Sequence, residues 1–287
     1  MLFDTHSHLN FRAFDDDRDE VAKKCLDNNV WLINVGSNYA TSKMALEMAE
    51  KYEKGVYAAI GLHPINIMKN EKRKMENDNV KCKKDEDDLE EIFNYERYKN
   101  LAKSGKVVAI GEIGLDANGN AEGQKQKEVF LAQMRLAKEL GLPVILHCRK
   151  AHEELSDILA KTMKQWSHET MRGVVHCFTG SWKQAQQYLE MGLYLGFNGI
   201  IFKLDLDEVI AKTPLERILV ETDCPFLTPP ALRQAQGKGD ERNEPMNVKY
   251  VIQRIAEIKK TTFEQVAQIT TQNAKTLISK SIDFVNQ

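Results

Sequence analysis

Residues 128–147, EVFLAQMRLAKELGLPVILH, contain the unit from which the rest of the chain can be read. Val129, Phe130, Gln133, Met134, Ala137 and Leu140 recur at helical spacing, which predicts a helix over 128–140 with one stripe turned inward. Gly141 follows the last periodic residue, and glycine tolerates the left-handed conformation in which helices commonly stop. Pro143–Leu146 is then a short apolar run without polar alternation, suited to a parallel strand buried on both faces. His147 stands at its end.

The same alternation extends in both directions. Strands are expected at Leu2–Thr5, Trp31–Val35, Val56–Ile60, Val107–Gly111, Pro143–Leu146, Val174–His176, Leu193–Phe197 and Ile218–Glu221. Helical periods fall between them at Asp19–Asn28, Lys43–Lys54, Glu128–Leu140 and from Ser181 to Gly192. Eight strands alternating with helices predict an α/β fold, a single (β/α)₈ TIM-type barrel over residues 1–287 with right-handed crossovers. Two extra C-terminal helices follow, near Asn247–Lys259 and Thr262–Ser279, and Thr261-Thr262-Phe263-Glu264 fits a capping box for the second. Two segments interrupt the pattern: 69–88 is a charged insertion, and 231–240, ALRQAQGKGD, reads as a flexible loop.

The chain has 287 residues, 42% hydrophobic and 29% charged, enough to bury a sizeable core. No stretch approaches the roughly 20 apolar residues of a membrane span, and Met1-Leu2-Phe3-Asp4 lacks the layout of a signal peptide. A cytoplasmic location, no membrane contact and no obligate protein partner are therefore expected. Cys25, Cys82, Cys148, Cys177 and Cys224 are odd in number, with no C-x-x-C pair, and read as reduced thiols. Cys148, Cys177 and Cys224 each follow a candidate ligand, and strand alternation would turn them away from a shared centre. A net charge of −2 excludes a broad basic trap for nucleic acid but leaves room for an enzyme that grips a few nucleotides at a strand end.

Five of the seven histidines, His6, His8, His63, His147 and His176, lie at or just past the C-terminal ends of expected strands. That end of a barrel carries the active site. His6 and His8, two apart, share one strand face. Glu112 and Asp223 also follow strands, where a carboxylate flanked by apolar sequence needs a cation or donors to offset desolvation. Four histidines and two carboxylates exceed one tetrahedral zinc and suit two divalent ions sharing a carboxylate. Zn²⁺, Mn²⁺ and Mg²⁺ all remain open.

Seven blocks in order, Asp4-Thr5-His6-Ser7-His8-Leu9, Gly61-Leu62-His63-Pro64, Ile110-Gly111-Glu112-Ile113-Gly114-Leu115-Asp116, Leu146-His147-Cys148-Arg149, Val175-His176-Cys177-Phe178-Thr179-Gly180, Glu221-Thr222-Asp223-Cys224-Pro225 and Arg242-Asn243-Glu244-Pro245, resemble the TatD family of metal-dependent deoxyribonucleases. The resemblance implies that His6, His8 and Asp223 hold one metal, His147 and His176 a second, and Glu112 bridges them. It implies hydrolysis of DNA phosphodiesters by a 3′–5′ exonuclease on short single strands or 3′ ends, with Glu112 and Asp223 catalytic and Asp223 able to accept a proton from water. His63, Arg149 and Phe178 would meet substrate: His63 the phosphate, Phe178 a base, and Arg149 either the phosphate or a loop carboxylate. Arg242 and Glu244 read as ties between the last loop and the barrel. After Asp116 the family often has aromatic residues; Ala117-Asn118-Gly119-Asn120 has none, which removes a base platform there. His152 and His168 are expected to be solvated, and Trp31, Trp166 and Trp182 to serve packing. Two rival classes stand beside this reading: a hydrolase of a small-molecule amide, lactone or ester on the same barrel, and a binding protein with one structural zinc.

Overall fold

The computed structural model describes residues 1–67, 91–118, 123–166, 171–230, 232 and 242–279. The 69–88 insertion, His168, Cys82 and the 231–240 loop, residue 232 apart, lie outside the described residues. Eight parallel strands run in sequence order: β1 Leu2–Ser7, β2 Val30–Val35, β3 Val56–Ile60, β4 Val107–Asp116, β5 Val144–Arg149, β6 Gly173–Val175, β7 Tyr194–Phe197 and β8 Ile218–Val220. The sheet closes where Ser7 of β1 bridges Cys224 just past β8, beside a bond from the Thr5 hydroxyl to the Val220 carbonyl. The result is the expected TIM-type barrel.

Nine helices follow among the described residues: α1 Arg18–Asp27, α2 Tyr39–Glu50, α3 Tyr95–Leu101, α4 Gly123–Leu140, α5 His152–Gln165, α6 Trp182–Glu190, α7 Asp207–Lys212, α8 Val248–Lys259 and α9 Phe263–Ile278. Strand alternation divides the core in two. Leu32, Ala58, Ile60, Val144 and Leu146 pack outward beneath the helices. Ile33, Val35, Tyr57, Ala59 and Ile145 pack with the last turns of α9, through Ala274, Leu277 and Ile278.

Several boundaries differ from the sequence reading. Helix α2 begins earlier than Lys43, because Asn38 caps it through a reciprocal box with Thr41 and buries Thr41 and Ser42, polar residues that hide the helical stripe. The box on α9 pairs Thr262 with Gln265, one residue beyond the expected pair. Strand β4 does not stop at Gly111; it pairs with β5 as far as Asp116↔Arg149. Its glycines permit close approach: a Cβ on Gly114, at φ +151°, would fall 2.0 Å from the His147 carbonyl oxygen.

Candidate metal centre

The six residues expected to hold metal converge at the C-terminal end of the barrel, in and beneath a cavity of about 360 Å³. Two local irregularities aim the first of them. Between Asp4 and Ser7 the β1–β2 register shifts, and between Ile110 and Ile113 the β4–β5 register shifts. A register slip changes which face a side chain occupies, and such slips commonly re-aim residues at functional sites. Here they accompany inward-turned His6, His8 and Glu112. Asp4, fully buried, then pins β1 to β8 by accepting from the Thr222 amide (2.9 Å) and hydroxyl (2.6 Å).

The distances are short. His6 Nε2 lies 3.1 Å from His8 Nε2, 3.4 Å from Glu112 Oε2 and 3.8 Å from Asp223 Oδ1. His8 Nε2 is 3.3 Å from Asp223 Oδ1. His176 Nε2 is 3.7 Å from Glu112 Oε1 and 3.9 Å from Asp223 Oδ1, and its ring stacks on His6 at 3.5 Å. His147 Nδ1 lies 2.7 Å from Glu112 Oε1.

Outer contacts decide which atoms face the centre. His8 Nδ1 sits 2.8 Å from the Val35 carbonyl, which only accepts, so Nδ1 carries a proton and Nε2 is the nitrogen turned to the centre. His176 Nδ1 lies 2.8 Å from Glu221 Oε1, which likewise leaves Nε2 inward. His63 has the opposite arrangement: its Nδ1 accepts from the Ile65 amide at 3.1 Å, so its proton sits on Nε2, 3.5 Å from Glu112 Oε1. His63 is thus a donor toward the cavity and a poor ligand.

Charge follows this pattern. Burial alone would raise the Glu112 carboxyl, but the imidazoles of His63, His176 and His147 outweigh it and hold it well below the usual carboxylate range. Asp223 is also held down, with burial opposed by His8, His176 and His6. Burial lowers His6 and His63, and nearby charged imidazoles add to the effect. Burial is outweighed at His176, where Glu221 and Glu112 push it up to about 10. Protons on imidazole thus balance carboxylates at the positions a divalent cation would occupy.

The fit to a metal rests on these atoms. His8 Nε2 is turned to a second imidazole nitrogen and a carboxylate, while His6 Nδ1, His176 Nδ1 and Glu221 Oε2 are buried without a formed hydrogen bond. A cation among the Nε2 atoms would take their lone pairs together with the carboxylate oxygens, in place of the protons shared there. Among the described residues, four trios place ligand atoms within 4.8 Å of one another: His6–His8–Glu112, His6–His176–Glu221, His63–Asp116–His147 and His176–Cys177–Asp223. A larger cavity, about 690 Å³ between Met1 and α9, contains no histidine and lies away from this chemistry.

The description of TatD-related DNases matches residues 3–279. The chain belongs to that family. A metal-dependent hydrolase of Bacillus subtilis, YabD, is 43% identical over 96% of this chain and 98% of its own length. The TatD protein of Escherichia coli K12, named a 3′-5′ ssDNA/RNA exonuclease, is 32% identical over 96% of this chain and 98% of its own. Among solved structures, the E. coli TatD homologue YjjV superposes with a TM-score of 0.76 at 29% identity, covering 97% of this chain and 98% of that one. Membership makes this TatD-family chain a metal-dependent hydrolase. No helix among the described residues is long and apolar enough to cross a membrane.

Other expected site residues are placed differently. Phe178 is fully buried against His152, Tyr188 and Phe197, and cannot meet a base. His152 is not solvated: it is 7% exposed, lies 3.2 Å from the Tyr188 hydroxyl, and burial lowers it to about 4. Cys177 enters the cavity because β6 ends at Val175 and Cys177 is left-handed at φ +46°, so alternation no longer applies; Cys148 and Cys224 are buried away as expected. Arg149 is half exposed on the cavity rim, with Nε 3.0 Å from Asp116 Oδ1. Arg242 ties Asp17 to Glu244, as its reading predicted.

Two carboxylates escaped the sequence reading. Asp116 faces His147 Nε2 at 3.1 Å as well as Arg149; burial is outweighed by these partners and it falls to about 2. Glu221 accepts from the Cys177 amide at 2.7 Å and the Asn198 amide nitrogen at 3.1 Å beneath His176. Helix α4 frames this side with two buried glutamines seven apart. Gln133 clamps both backbone groups of Leu62, beside His63, and Gln126 does the same at Asp116.

Proposed function

We propose that the chain hydrolyses phosphodiester bonds of single-stranded DNA or RNA from the 3′ end, with two divalent ions at the barrel mouth. The observation that carries the reading is the division of labour among histidines: His8 has its outer nitrogen on the Val35 carbonyl and His176 turns its outer nitrogen to Glu221, whereas His63 presents a proton. A centre with both lone pairs and a donor suits an anionic substrate. The names of the E. coli relative and its like supply the nucleic-acid class.

In this reading His6, His8 and Asp223 hold one ion, His147 and His176 the other, and Glu112 stands between them. Bound there, the ions would lower the pKa of water, polarise the phosphate oxygens and stabilise the leaving oxyanion. Asp223, ionised because His8 and its neighbours hold its pKa down, accepts a proton from the attacking water. His63 donates from Nε2 to a phosphate oxygen, and Arg149 offers a guanidinium at the rim while Asp116 fixes its direction. Glu221 orients His176 from behind.

The test is digestion of a 5′-labelled single-stranded oligonucleotide by metal-stripped protein resupplied with Mg²⁺, Mn²⁺ or Zn²⁺, beside Asp223→Asn. A metal-dependent ladder shortening from the 3′ end, absent in the variant, is expected. Folded protein that binds two ions and cleaves no strand with any of them would reject the nuclease reading.

A further inference from the structure

We infer that Phe226 is a stacking platform for the terminal base of the strand, a subsite that supplies what Phe178 and the segment after Asp116 lack. This rests on the nuclease reading above. Phe226 is 54% exposed and lines the cavity; of the exposed large hydrophobics among the described residues it alone is aromatic. Its ring stands edge-on to His8 at 6.4 Å and to Phe11 at 6.5 Å. Phe11 is committed already, being 8% exposed and stacked on His8 at 4.3 Å. Phe226 therefore has the open aromatic surface, next to a proposed metal ligand, where the base of a nucleotide whose phosphate sits at the centre would arrive.

The backbone beneath it is fixed. The Phe226 amide bonds the Asp223 carbonyl at 2.9 Å, and the Asn243 side chain donates to the carbonyls of Phe226 (2.8 Å) and Thr222 (3.1 Å). The Asn243 amide also reaches the Pro225 carbonyl at 3.0 Å. On the far side Leu227 is left-handed at φ +54°, with its carbonyl so close to Gly199 that a Cβ there would lie 2.0 Å away. A ring on so constrained a turn loses little freedom when a base covers it. Asn243 uses its side-chain oxygen on the Glu244 amide and Asn247, and both its amide hydrogens on the turn. Recognition by stacking alone accepts any base, in DNA or RNA, with purines favoured for their larger face.

The experiment compares wild type, Phe226→Ala, Phe226→Leu and Phe226→Trp on oligonucleotides ending in a normal nucleotide or in an abasic one. Metal content and thermal melting of each variant serve as checks on the centre and the fold. The alanine variant should raise KM on the normal end about tenfold with kcat little changed, and tryptophan should restore it. Leucine, with bulk but no aromatic face, should fall near alanine. On the abasic end wild type should already show the loss and Phe226→Ala should add nothing to it. Independently of turnover, metal-stripped wild type should quench 2-aminopurine at the strand terminus, and Phe226→Ala should not. Equal penalties on both ends, or cleavage and quenching unchanged in Phe226→Ala, would overturn the platform alone. A wild type that neither binds nor cuts strands would overturn the nuclease reading along with it.

Discussion

The two flanks of the centre use the same residue types and balance charge in opposite ways. On the flank built from β3, β4 and β5, Asp116 is neutralised by Arg149 at 3.0 Å and by His147 at 3.1 Å, so the protein carries its own cations. On the flank built from β1 and β8, Asp223 meets three imidazoles: His8 Nε2 at 3.3 Å, with the Val35 carbonyl at its other nitrogen, His6 Nε2 at 3.8 Å and His176 Nε2 at 3.9 Å, whose Nδ1 faces Glu221. The difference lies in Arg149, whose charge is permanent where an imidazole's is not. A flank braced by an arginine keeps its charge balanced whether or not a metal is bound; a flank balanced by imidazoles gives up those protons when a metal takes their place.

Glu112 joins the flanks, and removing it is the most severe way to break the comparison. Glu112→Ala should lose metal retention and turnover together, with activity down at least about a thousand-fold. Metal analysis and a rate on the same preparation check this, and full activity would reject a shared carboxylate. Calorimetric titration of metal-stripped protein should next resolve two unequal steps, about 10- to 100-fold apart. His8→Ala should erase the tighter step and leave the weaker; two equal steps in wild type would cancel the distinction between flanks.

His152 sharpens the contrast from outside the centre, since it is buried with no carboxylate paired to it among the described residues. Its folded pKa of about 4 lies below the ordinary histidine value, so the unfolded chain binds more protons between those two pH values. Its contribution is therefore complete above about pH 6.5 and lost as pH falls toward 4, by at most about 3 kcal/mol. Urea unfolding at pH 7 and pH 5 should show a smaller drop in His152→Leu than in wild type; equal drops would place the slope elsewhere. The smallest effect belongs to Arg242, whose carboxylate partners Asp17 and Glu244 are partly exposed. Arg242→Ala should cost about 1 kcal/mol in the same assay without changing metal content. Loss of metal would instead give this tie a direct part in the tighter flank.

The barrel was legible because eight apolar runs and their helices repeat one unit. Boundaries failed where one residue type can signal opposite things. Gly111 and Gly114 look like strand breakers, yet they let β4 press against β5 as far as Asp116. Thr41 and Ser42 look like surface residues, yet both are buried on α2. Histidines at strand ends were readable because they recur at one place in the unit. Asp116 and Glu221 were not, since each acts on a histidine 31 or more residues away in the chain. Phe178 and Cys177 exchanged expected places because β6 stops before them and the next turn is left-handed.

Barrel closure has a consequence in time as well as in space. The bonds that seat β1 join residues more than 200 apart, from Thr5 to Val220 and from Asp4 to Thr222. A ribosome that has made the first seven strands has therefore already made His6, His8, Glu112, His147 and His176, but not Asp223 or the edge that holds β1 in register. Synthesis at about 5–20 residues per second leaves that interval open for seconds. Under the nuclease reading, a protein able to cut single strands spends its making tethered to a messenger RNA without a finished centre, and its last strand acts as the release.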